Sequence, residues 1–584
     1  MTESTPNTRS SFPWWIVGGA VFLAAAYLPT LAMPFDFLDD GNLVYPTRGL
    51  SFAGHVALWW EKVVANVNHL GPWRPALWAH WEVLSNLCDE NALAWRLERL
   101  LWCGLSAGLF LALLRDLKIP PVAALAAVAI GMWNPYRNEV WLSLTLAEGV
   151  AMPYALLALI AARRASQSPR PWMWEAASVL SVLMALGCKN TFAALVPAQI
   201  LLRMWPDGLS LCQAWKQNGP RSLLLAVTLI VPVAHFVYFV LNWHEGQYRT
   251  TGLTAGQTVR LTMALKGAIG LDYLAVGFTI TILAILAKRR PNSPSATTTP
   301  MADLRVAVLT GGLLLGCGLA VYLPLDIISG RYTMPAVWGL DILVAVMLTR
   351  LLLATPNILT RLAWLAVGIG IIGLLIALLG KQEKSIARAN VLWDAVNYVE
   401  QTAPHGSRMA WIGGDRLAGD LDIEEGIHFR WHLMHRGRMD VTVGLFDTDG
   451  QRVERVEIKP LDGKPDFRIT ARPGPAGWAH EQTFRRDYRQ GRKSYSFDLE
   501  RRAGTDRVGL LDPSVRSILH HEFMSAVQGA PSNSQPVNAL LASVFFRELD
   551  RAPKSTIAYP KAFGATSLES FFPEVATRPA SEAP

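Results

Sequence analysis

"PWWIVGGAVFLAAAYLPTLAMPFDFLDDGNLVYP" (residues 13–46) decides how this chain is read. Its first part, 13–33, is apolar over about the 20 residues that cross a bilayer core as a helix. Arg9 is the single basic residue before it, so the segment reads as an uncleaved anchor and not as a signal peptide. Asp36, Asp39 and Asp40 follow at once. Carboxylates at the mouth of a span are costly to desolvate, which leaves two readings: a solvated loop, or one wall of a functional site.

Working outward, the 584 residues are 51% hydrophobic and 17% charged, with the apolar residues gathered in blocks, the pattern of a polytopic membrane protein. Long blocks lie at 13–33, 97–114, 147–162, 223–243, 263–286, 306–325, 334–353 and 362–379. Shorter ones at 121–133, 172–188 and 191–202 bring the expectation to about eleven transmembrane helices. Residues 1–380 are read as a multi-span membrane domain, 381–552 as a water-soluble α/β domain, and 553–584 as a poorly structured tail. The net charge of +8 comes largely from Lys/Arg clusters between blocks and is no nucleic-acid signature. Five cysteines, none in the soluble part, argue against a disulfide framework or a Cys-based metal site.

With the N-terminus cytoplasmic, the basic clusters (Arg115 and Lys118, Arg163 and Arg164, Lys288–Arg290, Arg350 and Arg361) fall on the inner side, as the charge rule requires. An odd number of spans then leaves the C-terminal domain outside, the periplasmic side of a cell inner membrane. The linker 289–303 lies inside. The outer face receives "FDFLDDGNLVYP", "GPWRPALW", "NPYRNEVW", "CKNTF", "NWHEGQYR" and "DIISGRYTMP".

Those groups suit transfer of a sugar from a lipid phosphate to a hydroxyl. A carboxylate takes the proton of the acceptor hydroxyl, and Asp39 and Asp40 are the candidates. Cations hold the departing phosphate, a role for Lys189, Arg331 and Arg74, with Tyr332 orienting it. Each also has a plain reading: solvated aspartates, an interfacial Arg-Tyr anchor, a snorkelling lysine, and a Glu139 paired with Arg137. A flippase or transporter of lipid-linked glycan, and a non-catalytic envelope assembly protein, are the competing classes. Internal repeats and mid-depth charges, which would favour a transporter, are not found in the sequence.

The order of motifs resembles the GT-C superfamily of membrane glycosyltransferases, closest to the protein O-mannosyltransferase branch. The matching residues are "FLDDGNLVY", "WRPAL" (73–77), "NPYRNEVW" (134–141), "CKNTFAALVP" (188–197) and "GRYTMP" (330–335). "AWRLERLL" departs from the His-containing segment of relatives. The resemblance implies a polyprenyl-phosphate-sugar donor, a glycan, lipid or protein acceptor, and anomeric inversion. It implies Asp39 or Asp40 as general base, or as ligand to a divalent cation in members that use one. Lys189 and Arg331 would bind the phosphate, and Glu139 would be a supporting acid. No other cofactor is implied.

In the C-terminal region, residues 385–404 have helical spacing ending before Pro404, and "SRMAWIGG" reads as a short strand. Alternation on both sides of Asp449-Gly450 predicts a hairpin. "GIHFRWHLMHR" places His428, His432 and His435 together, either a metal cluster or ordinary packing.

Overall fold

The computed structural model describes residues 13–37, 40, 43, 50–68, 73–135, 137–207, 209–230, 234, 304–321, 334–353, 358–404, 407–413, 423–436, 438, 441–446, 467–470, 478–488 and 492–502. The expected span at 263–286, most of that at 223–243, the linker 289–303, the second half of the Asp449-Gly450 hairpin and the tail lie outside them.

Helix α1 (Trp14–Ala25) is apolar all round and passes into a 3-10 turn, Leu28–Ala32. Two helices follow in the first loop, α2 (Phe52–Asn68) and α3 (Pro75–Cys88), where the sequence had suggested no element. Next come α4 (Ala92–Asp116), α5 (Pro121–Met132), the single turn α6 (Glu139–Leu142), α7 (Ala147–Ala165) and α8 (Pro171–Cys188). Prolines occupy the first turn of α3, α5 and α8, where the missing N–H costs nothing. The segment expected at 191–202 is a 3-10 turn (Asn190–Leu195) leading into α9 (Val196–Met204). A Ser210/Gln213 capping box starts α10 (Leu211–Leu223). Then come α11 (Arg305–Ala320), α12 (Met334–Leu353) and α13 (Ile358–Thr402).

Among the described residues, α4, α8, α12 and α13 are long and apolar enough to cross a membrane. The chain is a membrane protein, and its helical part packs α7 on α8, α11 on α12, and α4 between α1 and α7. The bundle has two unlike ends. At one, Arg115 and Arg164 bind Asp116, Arg163 and Lys118 reach Asp207, and Arg203 and Arg221 share Glu175. The other end carries the C-terminal domain.

Helix α13 joins the two parts. At 1.5 Å per residue its 45 residues run about 67 Å, twice the roughly 30 Å of a bilayer core. Ile358, Leu362, Leu365, Ile369, Ile372, Ile376 and Leu379 are exposed, as lipid-facing residues must be. Beyond Gly380 the same helix buries Val391, Leu392, Ala395, Val396 and Val399 in the domain. The boundary drawn at 380 therefore falls inside one helix. Its level is marked by Lys381 Nζ donating to the Pro135 carbonyl (2.7 Å) and Gln382 Nε2 to that of Ala26 (3.1 Å).

Among the described residues, the domain holds a five-stranded mixed sheet in the order β2-β1-β3-β5-β4. Strand β1 (Arg408–Ile412) is parallel to β2 (Thr442–Phe446) and β3 (Phe467–Thr470). Strand β5 (Lys493–Arg502) is antiparallel to β3 and β4 (Trp478–Tyr488). The histidine-rich segment is helix α14 (Ile423–His435), packed on β2.

Burial pushes the His428 imidazole down to about 4 from 6.5, against the pull of Asp36. The unfolded chain takes up this proton near 6.5 and the folded chain only near 4. Stability from this group is thus complete above the higher value and falls as pH drops through the window, by about 3 kcal/mol in all. Thermal unfolding of the full chain at pH 7.5 and 4.5 should show a steeper loss for the wild type than for His428→Leu by about that amount. Equal losses would contradict it.

Candidate active site

Phe35, Asp36 and Phe37 of the first loop lie beside α13 at the domain end. Trp393 Nε1 donates to the Phe35 carbonyl at 2.9 Å. Phe37 is fully buried in a cage of Trp393, His432 and Phe429, with ring centroids 5.6, 4.4 and 6.5 Å away. The C-terminal domain thereby grips the loop two residues before Asp39.

Asp40 is fully buried. Its carboxylate accepts from the backbone N–H of Asp36 (2.7 Å) and of Leu144 (3.3 Å) and from Arg96 Nη2 (3.1 Å). Burial pushes this carboxyl up to about 6, opposed by the Arg96 guanidinium. Arg96, on the second turn of α4, also donates to the carbonyls of Met33, Pro34 and Leu142. One planar fork therefore fastens the end of the first span, Asp40 and the C-terminus of α6, a task that suits guanidinium and not ammonium. One turn on, Arg99 donates to the Leu144 carbonyl.

Lys189 follows the C-terminus of α8 in extended conformation, and its ammonium meets Glu148 in the first turn of α7. Arg74, the N-cap of α3, is half-buried and within electrostatic reach of Glu148 and Cys188. Gly187 permits this approach: a Cβ there would lie 2.9 Å from that of Ala76. Glu139 opens α6 and is half-buried. Arg137 Nη1 donates to both oxygens of Asp341, two turns into α12, at 3.0 Å each. Gly131 makes room, since a Cβ there would stand 2.5 Å from Asp341 Oδ2. Helix α2 is tied to α3 through Glu82, which meets His55 Nδ1 at 2.9 Å and Lys62 Nζ at 2.7 Å.

Of the residues predicted from sequence, Asp40, Arg74, Glu139 and Lys189 gather at this end of the bundle. Asp39, Arg331 and Tyr332 lie outside the described residues. The α12 helix, held by Arg137, begins two residues after Tyr332. Sequence reasoning missed Arg96, Arg99, Glu148 and Asp341. Charge inside an apolar block was the available signal for Arg99, Glu148 and Asp341, and charge at the edge of one for Arg96.

No family model matches the chain. No curated protein matches it either. Among solved structures, it is similar to ArnT from Cupriavidus metallidurans in the apo state, at 13% identity and a TM-score of 0.42, over 83% of this chain and 97% of that one. The structure of ArnT bound to undecaprenyl phosphate gives 14% and 0.40, over 79% and 93%.

Removing Arg96 strands a buried carboxylate, which costs about 3–5 kcal/mol. Thermal unfolding of purified Arg96→Ala should register that loss. Arg96→Lys should recover less than half of it, because one ammonium cannot reach four acceptors in different directions. Full recovery by lysine would show that charge alone matters.

Proposed function

We propose that the protein is a GT-C-type membrane glycosyltransferase that moves a sugar from a polyprenyl phosphate to an acceptor hydroxyl at the outer membrane face. The observation that carries this is the gathering, at one end of the bundle and at the level of Gly380, of a braced acid loop with Lys189 and Arg74. The opposite end, rich in Arg, is assigned to the cytoplasm and the C-terminal domain to the periplasm. An inner-membrane location follows from that assignment.

In this reading the polyprenyl tail stays in the bilayer and its phosphate meets Lys189, Arg74, Arg331 and Tyr332. Glu148 holds the Lys189 ammonium in place, and its positive charge attracts the phosphate oxygens. The acceptor oxygen attacks the anomeric carbon as a carboxylate takes its proton. The bond to the phosphate oxygen breaks on the opposite side, and its electron pair leaves as polyprenyl phosphate, inverting the anomeric centre.

Asp40 is raised toward the range of a useful base, yet it is enclosed and already accepts three hydrogen bonds. We therefore give proton acceptance to Asp39 and make Asp40 the positioning residue. For the same reason Asp40 is a poor ligand for a divalent cation, and no step here is routed through one. Glu139 is assigned to the acceptor side. The acceptor, a glycan, lipid or protein, is set by groups that the chemistry at this end does not name.

Asp39→Asn should lower transfer in membranes by about 100-fold or more while the protein remains inserted and abundant. Normal transfer would remove the catalytic reading. Arg331→Ala should raise the apparent KM for the lipid donor by about tenfold and leave that for the acceptor within twofold, as expected for loss of a charge-assisted phosphate contact. An unchanged donor KM would remove the phosphate role.

A further inference from the structure

Beside the braced acid loop, α3 and α4 present a second polar cluster that the reaction above does not use. Glu98 and Trp102 stand one turn apart on α4, and His80 of α3 faces both. His80 Nε2 is 3.1 Å from Glu98 Oε1. The His80 ring stacks on Trp102 with centroids 5.4 Å apart and planes at 28°. Tyr154 of α7 also meets Trp102, with centroids 6.2 Å apart and planes at 80°.

Among the described residues, neither oxygen of Glu98 has an aligned hydrogen-bond partner, nor has His80 Nε2 or Trp102 Nε1, although all four atoms are buried. Each such group costs about 1–3 kcal/mol, and folded proteins keep few of them. The acids nearby behave otherwise: Asp40, Glu82 and Asp341 each accept hydrogen bonds on both oxygens. Small parts of both side chains are accessible, 13% of His80 and 14% of Glu98, through atoms other than those four.

We propose that Glu98, His80 and Trp102 form a carbohydrate subsite that receives the neutral glycosyl group of the lipid-linked donor; this rests on the glycosyltransferase reading. The donor and acceptor pattern selects the ligand class. Glu98 needs hydrogen-bond donors, whereas the Trp102 indole N–H needs an acceptor. An ammonium would satisfy Glu98 and leave the indole unpaired. A phosphate would accept from the indole and be repelled by Glu98. Sugar hydroxyls donate and accept at once, and the apolar face of the ring packs on an aromatic surface. The placement agrees: His80 is six residues after Arg74 on α3, about 9 Å along the helix axis. Arg99, next to Glu98, bonds the same Leu144 whose N–H holds Asp40, so the cluster adjoins both the phosphate-binding and the acid sides.

The test is binding to the full chain in nanodiscs. The probes are farnesyl phosphate, farnesyl-phosphoryl glucose, mannose, galactose and glucosamine, and the matching octyl glycosides, which lack phosphate. At least one neutral glycosyl phosphate should bind about tenfold or more tightly than farnesyl phosphate, the scale of a hydrogen bond to a charged group. Glu98→Gln and Trp102→Phe should each reduce that gain to about twofold or less, with farnesyl phosphate affinity and thermal unfolding unchanged. Retention of the gain in both variants overturns the subsite, as does a gain for glucosamine alone. If farnesyl phosphate binds and no sugar adds affinity, the subsite falls and the lipid-phosphate reading stands. If octyl glycosides bind in a Glu98-dependent way and farnesyl phosphate does not, the subsite stands and the lipid-phosphate reading falls.

Discussion

The domain end of this protein depends on one guanidinium. Arg96 has no exposed side-chain surface and spends its fork on Asp40 and three backbone carbonyls from two separate segments. Those carbonyls sit where α1 has ended and where the chain breaks between α6 and α7, so no helix ladder satisfies them. A buried cation is tolerable only when its donors are met and an opposite charge is at hand, and Asp40 supplies that charge. The exchange is mutual: Asp40 is kept out of water by the same contacts that hold Arg96.

The rest of that end repeats the device. Arg137 and Asp341 bind the segment before α6 to α12, and Lys189 and Glu148 bind the end of α8 to the start of α7. Each pair crosses between helices, which is how charge survives near a low-dielectric surround. From outside, α13 brings Trp393, and α14 brings Phe429 and His432, around Phe37. The acid loop is thus braced by ions from the membrane side and by aromatic rings from the domain side. The ion pairs of the other end cluster around Asp116, Glu175 and Asp207, with several members well exposed, as befits basic anchors at a membrane surface.

How much of this could be read in the sequence differs by element. Helix α12 was expected at 334–353 and spans Met334–Leu353, because a 20-residue run that is apolar apart from Asp341 and Arg350 reads as a span. Blocks at 121–133 and 172–188 likewise match α5 and α8 within a residue at either end. Helices α2 and α3 escaped notice since their apolar residues alternate with His55, Lys62 and Glu82, which look like loop until their pairing is seen. Gly380 and the charges after it resembled a terminus, yet Lys, Gln, Glu and Ala keep a helix going well, and α13 runs on. At the site, Asp40, Arg74, Glu139 and Lys189 were legible as polar residues at span ends. Their partners were not: Arg96 is 56 positions from Asp40 and Asp341 is 204 from Arg137, and periodicity carries nothing about pairs so far apart. "AWRLERLL" was conspicuous only as a departure, and its Arg96 proves to be what holds Asp40.

The central claim is that lipid-linked phosphate binds among the basic groups at the domain end, with its sugar turned to the first-loop acids. An electron cryomicroscopy map of the full chain in nanodiscs with a polyprenyl-phosphate sugar tests it most directly. The account predicts the phosphate within hydrogen-bond distance of Lys189 and Arg331, and the anomeric carbon facing Asp39. A phosphate held instead at the Arg115, Arg163 and Arg164 end, or one remote from Lys189, would contradict it.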